Sequence, residues 1–157
     1  MDFKEAYSYA SELCSRQERC SSHIKDKLTK FEIAHEVITQ VIEKLKSGRF
    51  LDDTRYATYY TKDKYRFQKW GRIKISYHLK AKNLTAETIS EALETIDEDE
   101  YVLNLQHLLD SAKRKSKEVS KYMRDAKIVK MAAAKGYEPN LIYKLIKIEP
   151  NDQSIED

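Results

Sequence analysis

The chain has 157 residues, of which 35% are charged and 41% hydrophobic, with a formal net charge of +3 at pH 7. The hydrophobic share, which includes 11 tyrosines, excludes a disordered chain despite a mean hydropathy of −0.74. Three glycines and two prolines leave little material for turns and hairpins, which favours an all-α protein. No apolar run approaches the ~18 residues of a membrane span, and no signal-peptide pattern opens the chain, so we expect a cytoplasmic protein.

Three stretches share one apolar pattern and predict three copies of a short helix pair, at 23–42, 74–93 and 127–146. They align without a gap, and their apolar residues recur at helical offsets of three and four. The corresponding positions are Ile24, Ile75 and Ile128, then Leu28, Leu79 and Ala132, and then Ile38, Ile89 and Ile142.

A further amphipathic stretch precedes each pair, at about 2–16, 52–68 and 98–116. The chain is therefore predicted to consist of three three-helix repeats, at 1–49, 50–97 and 98–149, followed by an acidic C-terminal tail at 150–157. A repeat of about 50 residues buries little surface by itself, so we expect the repeats to stack into an elongated, monomeric array. Thr85 is expected to cap a helix, Gly136 to end one, and Pro139 to begin one.

Two adjacent aspartates in FLDDTRYATYY, residues 50–60, raise the question of catalysis. Neighbouring helical side chains point about 100° apart, so Asp52 and Asp53 cannot converge on one proton or metal. Aspartate at a helix start instead caps free N–H groups, and the pair is interpreted as a junction between repeats. Phe50 and Leu51 are expected to pack onto the new helix as a hydrophobic staple, with Tyr56, Ala57 and Tyr60 on its inner face.

The cysteines and histidines predict neither a disulfide framework nor a metal site. Cys14 and Cys20 lie six residues apart on a helical stretch, and the four histidines supply no zinc-ligand spacing. No phosphate-binding loop, nucleophile elbow or acid pair at metal spacing is present. We therefore expect no catalytic residue, no metal and no cofactor.

Charge is segregated along the chain. The first basic segment, 62–82, has eight basic residues against one acid, and the second basic segment, 113–135, has nine against two, so each carries +7. The acidic segment between them, 87–100, has seven acids and no Lys or Arg. Such segregation suits a polyanion or a charged protein groove, although a solvated helix face remains the alternative. The predicted partner-binding residues are Lys69, Arg72, Lys74, Arg124, Lys127 and Lys130.

Aromatic residues interleave with the first basic segment. Tyr65, Phe67 and Trp70 would let bases stack beside phosphate contacts if single-stranded DNA is bound. Trp70, just before a helix and next to Gly71, favours a packing role instead. The rival interpretation of each helix pair as a major-groove reader is disfavoured, because Glu87, Glu91 and Glu94 on the reading helix of the second repeat would repel phosphates.

Several segments resemble the RecX family of recombinase regulators. They are GRFLDDTRYA at 48–57, WGRIKISYHLKAKNL at 70–84, CSRQERCSSHIKDKL at 14–28 and KGYEPNLIYKLI at 135–146. The most specific part lies in the middle of the chain, and its structural signature comprises Phe50, Leu51, Asp52, Asp53, Arg55, Tyr56, Ala57, Trp70 and Gly71.

The resemblance implies three tandem three-helix repeats that bind the RecA–single-stranded DNA filament, lodge in its groove, and restrain ATP hydrolysis and strand exchange without catalysis. It implies no membrane or small-molecule partner. The alternatives are a helical-repeat nucleic-acid-binding protein and a protein-interaction scaffold that is not directed at RecA.

Overall fold

The computed structural model describes residues 1–150, which form nine α-helices and no strand. The predicted all-α class is confirmed. The predicted tail at 150–157 lies, beyond Pro150, outside the described residues. In chain order the helices are α1 Phe3–Arg16, α2 Ser21–Thr29, α3 His35–Ser47, α4 Asp53–Phe67, α5 Arg72–Ala81, α6 Ala86–Glu94, α7 Glu98–Lys115, α8 Lys121–Ala134 and α9 Pro139–Ile146.

The repeated apolar register is confirmed by burial. All nine corresponding positions of the three helix pairs are buried, and they lie on α2 and α3, on α5 and α6, and on α8 and α9. The three amphipathic stretches that precede the pairs are α1, α4 and α7. Each helix therefore turns one apolar face inward, as its 3.6-residue period requires.

The turn residues act as expected. The Thr85 hydroxyl accepts a hydrogen bond from Thr88 N at 3.1 Å at the start of α6. Gly136 has φ +96°, in the left-handed region that favours glycine, and follows the end of α8. Pro139 occupies the first turn of α9, where its missing N–H costs nothing.

The helices pack into two compact units. Unit 1 comprises Met1–Tyr60 and His78–Ala92, and unit 2 comprises, among the described residues, Thr61–Tyr77 and 93–150. Helices α4, α5 and α6 contribute residues to both units. The repeat boundaries at 49/50 and 97/98 therefore stay a prediction.

Each unit has its own core. In unit 1, α1, α2 and α3 pack on one another around eight buried residues, namely Ala6, Ala10, Ile24, Leu28, Ile38, Val41, Leu45 and Leu51. In unit 2, α7, α8 and α9 pack on one another. The Tyr101 ring lies in the unit 2 core, with its centroid 5.9 Å from that of Tyr65 and 5.3 Å from that of Tyr137. Aromatic pairs at such distances add stability beyond their buried area.

Candidate functional site

The two adjacent aspartates of unit 1 serve two different helices. The Asp52 carboxylate accepts from Arg55 N at 3.0 Å, so Asp52 caps α4. The Asp53 carboxylate instead accepts from Ser21 N at 2.8 Å and from Ser21 Oγ at 2.9 Å. The side chain of Cys20, which precedes α2, makes no capping hydrogen bond. Asp53 therefore supplies from elsewhere in the chain the acceptor that the first turn of α2 needs.

The other signature residues of unit 1 also hold the fold. Arg55 Nε lies 2.9 Å from both carboxylate oxygens of Glu18, and an Arg55 terminal nitrogen donates to the Arg49 carbonyl at 3.2 Å. Leu51, Tyr56 and Ala57 are buried. Phe50 is 42% exposed, so Leu51 supplies the buried contact of the expected staple.

A close approach between two glycines organises unit 2. Gly71 N donates to the Lys135 carbonyl at 2.8 Å, and Ile73 N donates to the Gly136 carbonyl at 2.9 Å. A Cβ on Gly71 would collide with the backbone of Gly136 and Tyr137. Glycine at position 71 is therefore required by space, since backbone atoms cannot yield as flexible side chains do.

Arg72 lies at the centre of a hydrogen-bonded network in unit 2. Its guanidinium donates to Glu138 Oε2 at 2.8 Å and to Glu98 Oε2 at 2.6 Å, and lies 4.0 Å from the centroid of the Tyr101 ring. The Tyr101 hydroxyl donates to Glu138 Oε1 at 2.5 Å and accepts from Arg72 N at 3.0 Å. Burial works to lower the pKa of Arg72, but the hydrogen bond to Glu98 and the charge of Glu138 raise it.

The network keeps its tyrosines protonated. Burial and the hydrogen bond to Glu138 raise the pKa of Tyr101. Burial raises the pKa of Tyr137 to about 12, and its hydroxyl donates to the Lys69 carbonyl at 3.0 Å. The hydrogen bond from Arg72 N and the Arg72 charge oppose this rise at Tyr101 but are outweighed. These phenols therefore act as hydrogen-bond donors at neutral pH.

Trp70 is half-buried and is approached by two lysines. The amine of Lys74 lies 4.5 Å and that of Lys64 lies 5.1 Å from the centroid of the Trp70 ring. These are cation–π contacts, in which the ring attracts the lysine charge without neutralising it. Lys69, next to Trp70, is exposed.

A cleft of about 270 Å³ in unit 2 is lined by Lys69, Asn104, His107, Leu108 and Tyr137. Asn104 Nδ2 donates to the Tyr65 hydroxyl at 2.7 Å, which holds the amide in place.

Lys62, Arg66 and Phe67 are exposed on the last turns of α4, and Phe67 is 77% exposed. Exposed cations beside an exposed ring are the residue types that bind single-stranded nucleic acid.

Four of the nine cations of the second basic segment, Lys113, Lys121, Arg124 and Lys127, meet carboxylates. Arg124 contacts Glu149 and Asp125, and Lys127 pairs with Glu118. Lys130 is exposed. Of the six predicted partner-binding residues, Arg72, Arg124 and Lys127 therefore lie in internal ion pairs, and Lys69 and Lys130 present their side chains to solvent.

Sequence reasoning missed the residues that organise these ion pairs. Tyr101, Glu138 and Glu149 were not singled out, and Lys113 was counted as one more surface cation. The signal for Glu138 was present, because it lies in the segment 135–146 that carries the family resemblance, whereas Tyr101 lies outside every such segment. Glu149 and Lys113 carry no local signal, since their roles depend on contacts with residues 25 or more positions away in the chain.

Comparison with known families assigns the chain. Residues 6–45 match the family model for the RecX first three-helix domain, and residues 52–93 match that for the RecX second three-helix domain. The chain belongs to the RecX family. Curated relatives include the regulatory protein RecX of Clostridium perfringens, strain SM101 / Type A, which is 29% identical over 88% of this chain and 65% of the relative. The regulatory protein RecX of Bacillus cereus, strain B4264, is 25% identical over 99% of this chain and 59% of the relative.

The chain spans about three-fifths of the length of these RecX relatives. Two solved structures share its fold. A crystal structure of RecX from Lactobacillus salivarius matches with a TM-score of 0.86 and 23% identity, over 93% of this chain and 95% of the other. A crystal structure of regulatory protein RecX matches with a TM-score of 0.82 and 24% identity, over 92% of this chain and 71% of the other.

Within residues 1–150, no group of three or more His, Cys, Asp and Glu side chains is arranged to hold a metal ion. None of the helices described there combines the length and the apolar character that crossing a membrane requires.

Proposed function

We propose that this chain is a non-enzymatic modulator of RecA. It binds the RecA–single-stranded DNA filament and restrains ATP hydrolysis and strand exchange, and so regulates recombination and DNA repair, including the SOS response. The observation that carries the proposal is the presence of two successive RecX three-helix domains, at 6–45 and 52–93. The finer features of the proposal are a cytoplasmic monomer, built of repeats at 1–49, 50–97 and 98–149, whose partners are the filament and single-stranded DNA.

The charge distribution supports binding to a filament groove through the basic segments. Lys69 and Lys130 are exposed and can meet a phosphate or carboxylate directly. Arg72, Arg124 and Lys127 must first exchange an internal carboxylate for a group of the partner. Lys74 keeps its charge over the Trp70 ring and needs no such exchange. We therefore rank the exposed residues ahead of the paired ones as contacts.

A titration of the purified protein into a RecA–single-stranded DNA ATPase assay tests the proposal. Loss of hydrolysis at substoichiometric protein is the expected result, because a modulator lodged in a filament acts on several RecA subunits. Unchanged hydrolysis at a several-fold molar excess, with the protein shown to be folded by circular dichroism, would contradict it.

A helical-repeat nucleic-acid-binding protein that is not directed at RecA is the second candidate. It is favoured by the exposed cations Lys62, Arg66 and Lys69 beside Phe67. Salt-dependent binding to bare single-stranded DNA without any effect on RecA would select it. Absence of DNA binding at low salt, together with no effect on RecA, would select a protein-interaction scaffold instead.

A further inference from the structure

Three cations of unit 2 converge on one carboxylate. An Arg124 terminal nitrogen lies 2.9 Å from Glu149 Oε1 and 3.2 Å from Glu149 Oε2. Lys121 Nζ lies 3.1 Å and Lys113 Nζ lies 3.7 Å from Glu149 Oε1. Asp125 is the other acid at this cluster, 3.0 Å from Arg124 Nε. The hydrogen bonds from Lys121 and Arg124 outweigh the effect of burial and lower the pKa of Glu149.

Two of the three cations, Lys113 and Arg124, are held in place by groups other than Glu149. The Lys113 side chain is only 1% exposed, and its amine donates to the carbonyls of Ile146 at 2.5 Å and Ile148 at 3.0 Å. Asp125 orients Arg124 independently of Glu149. A preorganised set of donors loses little conformational freedom when it binds an anion.

The position of the cluster further favours an anion. Lys121 and Arg124 lie in the first turn of α8, a helix of 14 residues with no acid in that turn. Both the free N–H groups and the helix dipole attract negative charge there. Glu149 is 43% exposed and lies outside the helices, so an external anion can replace it.

Exposed apolar side chains flank the cluster and indicate which anion it takes. Tyr122 is 80% exposed, and Val119 and Met123, on either side in the chain, are also exposed. The neighbouring Lys115 and Lys117 are exposed as well. A phosphate beside an exposed aromatic ring matches single-stranded nucleic acid, since the base stacks while the phosphate pairs with the cations. A peptide of acidic residues alone, such as oligoglutamate, would leave the ring without a matching partner.

We infer that Lys113, Lys121 and Arg124 form a phosphate site for single-stranded nucleic acid, and that Glu149 occupies this site in cis and so limits DNA binding by the second basic segment. Displacement of Glu149 opens the site. The inference rests on the proposed function for its biological setting, in which DNA or filament binding is regulated. Its test uses bare DNA and does not depend on RecA.

The experiment compares Glu149→Gln with Glu36→Gln. Glu36 is an exposed residue on α3 that forms no ion pair with the described residues, so its substitution is a matched loss of one carboxylate. Binding of each full chain to a fluorescently labelled oligothymidylate is measured by anisotropy over a range of salt concentrations. Glu149→Gln is expected to bind about fivefold more tightly than wild type at roughly 50 mM salt, with the slope of log K against log salt steeper by about 0.7 for the one phosphate gained. Glu36→Gln is expected to show a smaller gain and an unchanged slope.

A second substitution makes the test specific to the site. Adding Lys121→Gln to Glu149→Gln is expected to remove the gain, and because Lys121 is 66% exposed, the double variant should fold as wild type does. Equal binding by the two single variants, or a gain that survives Lys121→Gln, would overturn the inference. So would an oligoglutamate peptide that shows the same fivefold gain, because the site would then be one for carboxylates.

The RecA ATPase assay separates this inference from the proposed function. Tighter DNA binding by Glu149→Gln with no effect of either protein on RecA would support the site and remove the RecA assignment. Inhibition of RecA with no change in DNA binding on Glu149→Gln would do the reverse.

Discussion

The two basic segments carry the same net charge, +7 each, but their side chains are bound differently. In the first, the amines of Lys64 and Lys74 lie over the Trp70 ring, and that of Lys82 lies over the Tyr60 ring. Arg72 of that segment forms ion pairs with Glu98 and Glu138. In the second segment the cations that meet carboxylates are Lys113, Lys121, Arg124 and Lys127.

The difference teaches that formal charge is a poor measure of the charge that a partner can use. A cation–π contact orients an amine but brings no acid, so the full charge remains available to an incoming phosphate. An internal ion pair must be exchanged, and the partner gains only the difference between two similar interactions. The first basic segment is therefore expected to dominate binding to a polyanion.

Charge reversal tests this comparison most strongly. Replacing Lys62, Arg66 and Lys69 by Glu is expected to weaken binding to oligothymidylate by about 100-fold at low salt, because three exposed phosphate contacts are lost. The matched triple reversal of Lys121, Arg124 and Lys127 is expected to cost clearly less, since these cations are already neutralised. Fluorescence anisotropy measures both. Equal losses would break the comparison and indicate that pairing does not decide which cations bind.

The close approach of Gly71 to Gly136 positions the start of α5, where Arg72 forms its ion pairs. Gly71→Ala is expected to lower the free energy of unfolding by about 1–3 kcal/mol, because its Cβ meets backbone that cannot move without breaking two hydrogen bonds. Urea denaturation measures the loss.

Gly48→Ala is the matched control. Its φ is −85°, and its Cβ would meet a Phe50 side-chain carbon at 3.2 Å, a contact that a small movement of an exposed ring relieves. Equal losses from the two substitutions would mean that the Gly71–Gly136 contact contributes nothing of its own.

Local features of the fold could be predicted from the sequence, and non-local ones could not. Apolar period, capping residues and turn residues act within a few positions, which is why Ile24, Ile75 and Ile128 could be aligned and Thr85 assigned its cap. Asp53 could not be assigned, because it caps a helix that begins 32 residues earlier. Arg72 was counted among the partner-binding cations for the same reason, since its carboxylates lie 26 and 66 residues away in the chain.

The adjacent aspartates extend the comparison from paired cations to paired acids, because two equal charges again have different partners. Asp52→Ala is expected to cost roughly 1 kcal/mol through the lost cap of α4. Asp53→Ala loses two hydrogen bonds to Ser21 and is expected to cost about 1–2 kcal/mol.

Ser21→Ala combined with Asp53→Ala shows whether the cost of Asp53→Ala arises at Ser21. Chemical denaturation of the double variant is expected to give much less than the sum of the two single costs. DNA binding by each folded variant should equal that of wild type. A fully stable variant of either aspartate that no longer binds would place that residue at the interface.

Acidification separates the Glu149 cluster of the second basic segment from the Trp70 contacts of the first by a smaller effect, because a carboxylate takes part in the former and a cation–π contact in the latter. The pKa of Glu149 lies below its usual value in the folded chain, so its stabilisation is complete above the pKa of the unfolded chain, about 4.3, and is lost as the pH falls through the lower folded value. The difference in unfolding free energy between wild type and Glu149→Gln should therefore shrink below about pH 4.3. The corresponding difference for Trp70→Leu, which removes the contacts with Lys64 and Lys74, should stay constant over the same range, since a cation–π contact contains no carboxylate. Parallel behaviour of the two differences in urea melts would show that the second segment is not held through Glu149.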